Sequence, residues 1–159
     1  MRIAFSSDDL GRSLIVPLMG WATQEGHDVS DLYTPHCPYT EAVHITCCNR
    51  NLRGTIPADS PKAWDRLVLA CGSGIGVMMT ANRYPGVRCC WALEPEHASL
   101  ARMYNDANAI AFGANMILPY KAIDCLRVFL VTPVLSEGWG SAAKGIDIPR
   151  VVWEDLQTS

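Results

Sequence analysis

Residues 66–77, RLVLACGSGIGV, join an apolar run to a turn in which glycine alternates with other residues. The run is short, continuous and rich in leucine and valine, which is typical of a buried strand over residues 66–71. Residues 74–83 follow with the apolar pattern of a helix. The stretch therefore predicts a strand that enters a helix through a glycine turn, the repeating unit of a parallel α/β sheet.

The alternation of strand and helix continues over the rest of the chain. Further strands are predicted at residues 2–7, 27–33, 87–92 and 109–113, and further helices at residues 11–24, 95–107 and 120–131. Such alternation favours an α/β fold with a mainly parallel, five-stranded sheet, helices on both faces and right-handed crossovers. Ligands bind such sheets at the carboxyl ends of the strands, so we expect the chemistry where the first and third strands end.

The length and composition predict one domain over residues 1–159. The chain has 159 residues, of which 49% are hydrophobic and 18% charged, which is enough apolar material for a sizeable core. Two segments depart from the rhythm of the other elements. Residues 48–61 are polar and rich in turn-forming residues, so we interpret them as a surface loop, and residues 133–159 are interpreted as a weakly patterned tail.

Charge and hydropathy argue against two classes of binding partner, nucleic acids and membranes. The net charge of −3 and the pI near 5.7 give no broad basic field, so nucleic acid and anionic membrane surfaces are poor partners. No apolar run approaches the ~20 residues that cross a bilayer, and the first residues turn acidic where a signal peptide is apolar. Seven cysteines, an odd number with two adjacent pairs, indicate reduced thiols. We expect a cytoplasmic protein that binds a small neutral or anionic ligand.

The glycine turn itself has two interpretations. Backbone N–H groups between a strand and a helix lack intrahelical acceptors, so Gly72, Gly74 and Gly76 could bind an anion together with the helix dipole. A tight turn that only lets strand and helix pack closely explains the same glycines equally well. The spacing differs from the dinucleotide motif G-x-G-x-x-G and from the P-loop, which argues against a nucleotide ligand.

Cys71 stands directly before this turn. The dipole of a following helix favours the thiolate form, which prepares a cysteine to act as a base or nucleophile. Most cysteines in a reduced protein are small buried hydrophobic residues, and we assign that role to Cys89, Cys90 and Cys125, which lie inside apolar runs. The position of Cys71 beside a possible anion site distinguishes it from these three.

A metal site and a redox centre are two alternatives for these thiols. Neither adjacent cysteine pair has the C-x-x-C spacing of a zinc site. The histidines are scattered along the sequence, at His27, His36, His44 and His97. A redox role for Cys71 remains open, although no resolving cysteine lies near it in sequence. The motifs therefore give little support to a metal site.

The runs CGSGIGVMMTANRYPGVRCC (residues 71–90), EPEHASLARMYNDANAIAFGANMI (residues 94–117) and IAFSSDDLG (residues 3–11) resemble the ribose-5-phosphate isomerase B family. That family also includes the galactose-6-phosphate isomerase subunits. The resemblance extends from Arg2 to about Thr132. It implies a Rossmann-like three-layer α/β/α sandwich, a sugar-phosphate substrate, no cofactor, and a homodimer or tetramer whose sites are shared between subunits.

The resemblance also implies roles for the residues of the glycine turn. Cys71 matches the base of one branch of the family, and the glutamate of the other branch is replaced by Val77 here. Ser73 matches a hydroxyl residue beside the base and the substrate. The amides of the turn, contributed by Gly72, Gly74, Ile75 and Gly76, would stabilise the oxyanion of a cis-enediolate.

Outside the turn the match is less complete. Asp8 and Asn105 match residues that bind the sugar, whereas Asp9 stands where the family usually has a histidine. Tyr104 replaces the histidine that opens the sugar ring, and a phenol with a pKa near 10 transfers protons poorly at neutral pH. Asn115 replaces a phosphate-binding arginine. The family's C-terminal arginine pair is also unmatched, and Lys144 or Arg150 could substitute for it.

The expected activity is the interconversion of ribose 5-phosphate and ribulose 5-phosphate in the pentose phosphate pathway. Three alternatives remain open at this point. The chain could isomerise a four- or six-carbon sugar phosphate, or bind sugar phosphates without turnover as one subunit of a mixed oligomer. Cys71 could also act as a thiol redox switch.

Overall fold

The structure, a computed structural model, describes residues 1–48 and 64–135. These residues form five strands and five helices. The strands are β1 (Arg2–Ser7), β2 (Asp28–Asp31), β3 (Arg66–Cys71), β4 (Cys89–Trp91) and β5 (Ala109–Gly113). The helices are α1 (Arg12–Gln24), α2 (Tyr39–Cys48), α3 (Ile75–Ala81), α4 (Pro95–Asn105) and α5 (Pro119–Val131).

The five strands form one sheet in the order β2-β1-β3-β5-β4, and every neighbouring pair is parallel. The register places Ser7 opposite Ala70 and Cys71 opposite Gly113. From β1 the chain first moves outward to β2 and then crosses back to β3 on the other side. The strand order therefore reverses between β1 and β3, which is where ligands bind in open α/β sheets.

Helices cover both faces of the sheet, which confirms the predicted three-layer α/β/α architecture. On one face α1, α4 and α5 form an apolar cluster that includes Ile3 and Phe5 of β1, and on the other face α2 and α3 form a cluster that includes Ala4. Successive side chains of a strand point to opposite faces, which explains why adjacent residues of β1 belong to different core clusters. The largest fully buried side chains include Phe5, Phe112 and Phe129.

The bounds of β1, β3 and β5 agree with the sequence prediction, because continuous apolar runs define buried parallel strands clearly. Helix α2 was not predicted. Its buried face is narrow and consists mainly of Ala42, Val43 and Cys47. The predicted loop at residues 48–61 begins at the last residue of α2, and its remainder lies outside the described residues. The same holds for the predicted tail beyond residue 135.

None of the described helices combines the length and apolarity required to cross a bilayer.

Replacing Gly20 with alanine should stabilise the protein. Gly20 lies on the exposed side of α1, and a Cβ built there meets no other atom within 4 Å. Alanine restricts the unfolded chain and favours the helix, so we expect the free energy of unfolding to rise by about 0.5–1 kcal/mol. Urea unfolding of the two proteins measures this difference. A lower midpoint for the variant would contradict it.

Candidate active site

The carboxyl ends of β1 and β3 meet through a close backbone contact. A Cβ at Gly11 would lie 2.4 Å from the carbonyl oxygen of Ala70, so only glycine lets the loop after β1 approach β3 this closely. A Cβ at Gly72 would lie 3.4 Å from the side chain of Leu10. The loop that carries Asp8 and the turn that follows Cys71 therefore form one continuous surface.

Cys71 is buried at this edge, with 4% of its surface exposed. Its side chain lies on the face covered by α2 and α3, in the same apolar cluster as Val77. The backbone N–H of Gly74 donates a hydrogen bond to Sγ of Cys71 over 3.1 Å. The sulfur of Cys71 therefore lies against the backbone N–H groups of the turn that follows it.

The glycine turn has a fixed shape. Gly74 adopts φ +79°, and the indole N–H of Trp91 donates to the carbonyl of Ser73 over 3.0 Å. The hydroxyl of the exposed Ser73 accepts the N–H of Ile75 over 3.3 Å. The carbonyls one helical turn before the amides of Gly76 and Val77 belong to Gly72 and Ser73, and they accept instead from Asn115 and Trp91. The turn thus directs several N–H groups toward the carboxyl edge.

The two acidic residues after β1 have different roles. One carboxylate oxygen of Asp8 accepts the N–H of Gly11 over 2.8 Å, which shapes the start of the loop. Asp9 accepts the hydroxyl of Tyr33 over 2.7 Å and the backbone N–H of His36 over 3.1 Å. The Tyr33 hydrogen bond is the main reason that the pKa of Asp9 is lowered, and Asp9 in turn raises the pKa of Tyr33.

Arg12 extends this network to the end of β2. Its guanidinium donates to both carboxylate oxygens of Asp31, over 2.9 and 2.7 Å, and lies 4.4 Å from the ring centre of Tyr33. The hydrogen bonds from Arg12 lower the pKa of Asp31. The sequence analysis named Asp9 but missed its partners, because the cluster joins two separate segments, residues 9–12 and 31–36, that form no contiguous motif.

The structure places Asn115 beside the glycine turn. Its backbone N–H donates to the carbonyl of Gly72 over 2.9 Å. Its side-chain Nδ2 lies 3.3 Å from the position that a Cβ on Gly72 would occupy. An amide offers a hydrogen bond but no charge, so Asn115 can bind a ligand oxygen and cannot form an ion pair with a phosphate.

Tyr104 and Asn105 are not brought to the turn within one chain. They end α4, which leaves the carboxyl edge after β4 and returns to the amino edge before β5. Asp106, the next residue, forms an ion pair with Arg88, which lies just before β4. Both predicted residues therefore lie at the opposite edge of the sheet from Cys71.

Two further residues near the turn were not singled out from the sequence. Ser7 ends β1 with its hydroxyl buried, and this oxygen has no hydrogen-bond partner among residues 1–48 and 64–135. Tyr39 begins α2, and its ring would contact a Cβ on Gly76 at 2.8 Å. Only the serine adjoining the predicted Asp8 offered a sequence signal, since Tyr39 belongs to the helix that was missed.

The remaining cysteines have the properties of core residues. Burial raises the pKa of Cys90 to about 12 and that of Cys125 to about 11, and it raises the pKa of Cys89 strongly. Such thiols stay protonated at neutral pH and are poor nucleophiles. Cysteines 37, 47, 71, 89, 90 and 125, whose side chains the structure describes, are all free thiols.

Within the described parts of the chain, no three His, Cys, Asp or Glu side chains are grouped so that they could hold a metal ion. A cleft of about 510 Å³ lies elsewhere, between α2 and α3. It is lined by Thr40, Glu41, His44, Thr80, Arg83 and Tyr84. Neither Cys71 nor the glycine turn contributes to it.

The fold and the site define a class of protein: a doubly wound parallel α/β domain with a cysteine and a glycine turn at the strand crossover. Comparison with known proteins identifies the group within that class. The sequence model of the ribose/galactose isomerase family matches residues 3–145. The chain belongs to that family, which confirms the resemblance found in its motifs.

Individual relatives agree with this assignment. Ribose-5-phosphate isomerase B of Escherichia coli K12 is 29% identical over 124 residues, covering 73% of this chain and 74% of the relative. The crystal structure of ribose-5-phosphate isomerase B from Giardia lamblia is 33% identical, with a TM-score of 0.72 over 92% of this chain and 96% of the other. A D-erythrulose-4-phosphate isomerase of Pectobacterium atrosepticum is 38% identical over 79 residues, covering 50% of this chain and 51% of the relative.

Proposed function

We propose that this protein interconverts ribose 5-phosphate and ribulose 5-phosphate, with Cys71 as the base. The observation that carries the proposal is the contact between the Gly74 N–H and Sγ of Cys71, within a turn of further N–H groups. An aldose–ketose isomerase needs a base beside donors that can hold an oxyanion, and this turn offers both. Family membership and the relatives named ribose-5-phosphate isomerase B support the choice of substrate.

The chemistry follows from this pairing. The Cys71 thiolate takes the proton from C2 of the open-chain aldose, and the electron pair moves to the carbonyl oxygen O1 to form a cis-enediolate. Backbone N–H groups of Gly72 to Gly76 hold the developing negative charge. The proton of the C2 hydroxyl then moves to O1, the Cys71 thiol returns its proton to C1, and the C2 oxygen becomes the ketone, which gives ribulose 5-phosphate with no net gain or loss of protons.

Neighbouring side chains would position the sugar. Ser73 exposes its hydroxyl next to the base, and Asn115 presents an amide beside Gly72. Asp8 has a second carboxylate oxygen that remains able to accept a sugar hydroxyl after it has bonded Gly11. The candidate phosphate-binding residues Lys144 and Arg150 lie outside the described residues.

A complete site would require a second copy of the chain. Tyr104 and Asn105 lie at the opposite edge from their own Cys71, so only the corresponding residues of a partner subunit could reach it. Ile75 and Met79, four residues apart on α3, are 44% and 63% exposed. Exposed apolar side chains at this spacing form a surface suited to a partner. We therefore include a homodimer with shared sites in the proposal.

Mixing two inactive variants tests the shared site. Cys71→Ala removes the base and Asn105→Ala removes the residue expected from the partner. In a two-fold dimer, statistical exchange of the two subunits yields hybrids with one intact site, so about a quarter of the parent activity should return. Turnover is measured before and after unfolding and refolding the mixture together. No recovery, with dimers present by light scattering, would place both residues in one subunit's site or Asn105 outside it.

A substrate panel tests the function itself. The purified protein is assayed with ribose 5-phosphate, erythrose 4-phosphate and galactose 6-phosphate, with and without a metal chelator. We expect fastest turnover of ribose 5-phosphate and no effect of the chelator. The relative named for erythrulose 4-phosphate favours a second candidate, an isomerase of a four-carbon sugar phosphate. Preference for erythrose 4-phosphate would select it, and turnover of none would reject both.

A further inference from the structure

The turn after β2 holds a histidine in an unusual backbone conformation at the carboxyl edge. His36 has φ +60°, which is uncommon for a residue other than glycine. It occupies the third position of a turn closed by the N–H of Cys37 bonding to the carbonyl of Thr34, with Pro35 at the second position. Glycine and asparagine adopt this conformation most readily at that position. A histidine at this position lowers the stability of the fold more than glycine or asparagine would. A function of the imidazole would explain why a histidine is found there.

Asp9 fixes this histidine at two points. One carboxylate oxygen accepts the backbone N–H of His36 over 3.1 Å, and the other lies 3.2 Å from its ring Nδ1. A carboxylate only accepts, so Nδ1 carries the hydrogen and Nε2 of the neutral ring is left with the lone pair. The His36 side chain is 93% exposed. Asp9 thus holds an accessible imidazole in the tautomer that can accept a proton at Nε2.

The position of His36 follows from the contacts on both sides of it. Asp9 adjoins Leu10, whose side chain would contact a Cβ on Gly72. Tyr39, three residues after His36, places its ring against Gly76. The segment that carries His36 therefore runs along the carboxyl edge from the end of β2 toward the glycine turn, which places His36 on the same edge of the sheet as Cys71.

Charged groups around the imidazole complete a supporting network. Asp9 also accepts the Tyr33 hydroxyl, and the guanidinium of Arg12 lies over the Tyr33 ring while it pairs with Asp31. From α2, Glu41 lies near Cys37, whose pKa is raised mainly by burial. Asp9 is the carboxylate in contact with the ring itself, with Oδ2 3.2 Å from Nδ1.

We propose that His36, oriented by Asp9, is the base that opens the furanose ring of the substrate; this inference rests on the proposed isomerase function. Nε2 takes the proton from the hydroxyl on C1, and the C1–O4 bond breaks as the C1=O1 bond forms. The electron pair goes to O4, which takes up a proton from water, and the imidazolium later returns its proton to solvent. Tyr104, at the opposite edge and with a phenol side chain, is not required for this step.

The test separates ring opening from the chemistry at C1 and C2. Ribose 5-phosphate is cyclic, whereas ribulose 5-phosphate is open-chain because its C5 oxygen is esterified. The variant His36→Asn suits the test, since asparagine tolerates the backbone conformation and cannot act as a base. We expect turnover of ribose 5-phosphate to fall about 10²-fold. Exchange of the C1 hydrogen of ribulose 5-phosphate in D₂O, followed by NMR, should change less than about twofold, because it bypasses the step assigned to His36.

Two further variants sharpen the comparison. His97→Asn alters a histidine of α4 whose Nδ1 accepts the N–H of Leu93 where that of His36 faces a carboxylate, so both rates should be unchanged. In His36→Gly, added imidazole should restore part of the ribose 5-phosphate turnover, which a purely structural role of the side chain would not allow. A His36→Asn protein with unchanged turnover, or with both rates reduced equally, would overturn the assignment. A parent protein that performs neither reaction would overturn the proposed function and this assignment with it.

Discussion

Replacing Cys71 with alanine should lower the turnover of ribose 5-phosphate by about 10³-fold, the typical contribution of a general base. The thiol is the group that receives the Gly74 N–H, and Val77 offers no carboxylate in its place. The variant should also lose exchange of the C1 hydrogen of ribulose 5-phosphate in D₂O, because that exchange depends on the same base. NMR and a coupled assay on one preparation measure both rates.

The control for this variant is Cys125→Ala. Cys125 is fully buried on α5, in the core cluster on the other face of the sheet. Removing either buried sulfur should cost about 1–2 kcal/mol of stability through a small cavity. Only the Cys71 variant should lose activity, so comparison at equal fractions folded isolates the chemistry. A Cys71→Ala protein that retains more than about a tenth of the parent turnover would exclude the thiol as the base.

Replacing Gly74 with alanine should destabilise the protein by about 3 kcal/mol and abolish activity. The left-handed conformation at φ +79° costs alanine about 1 kcal/mol. The new Cβ would lie 2.6 Å from the carbonyl carbon of Phe112 and 2.8 Å from Nε1 of Trp91, so the turn must move away from β5 at a further cost of about 2 kcal/mol. That movement also displaces the N–H bound to Cys71.

The variant Gly26→Ala separates the cost of the backbone conformation from the cost of the steric contacts. Gly26 has the same φ of +79°, and a Cβ there meets nothing within 4 Å. This variant should lose only about 1 kcal/mol and keep full activity. Urea unfolding and turnover are measured for both variants. Equal losses of stability would show that backbone conformation alone governs Gly74 and that the turn has room to accept a side chain.

Short-range patterns determined much of the architecture. Continuous apolar runs predicted β1, β3 and β5 with their observed bounds, because both faces of a central parallel strand are buried. Strand and helix alternation predicted the parallel sheet and its carboxyl-edge site. Helix α2 was not predicted from the sequence, because its buried face is narrow. Its helical state depends on packing against the sheet more than on its own apolar pattern.

The candidate site was determined in part by the sequence and in part by the tertiary structure. Cys71 and its glycine turn are contiguous, so local pattern and helix geometry marked them as candidates. The pairing of Asp9 with His36 joins residues 27 positions apart, and it exists only because parallel strands bring their carboxyl ends together. The family resemblance assigned Tyr104 to the ring-opening position, and the fold places it at the edge opposite the Cys71 of its own chain. The sequence determines the chemistry of each side chain. Which side chains lie together at one edge of the sheet depends on the order of the strands, and long-range contacts determine that order.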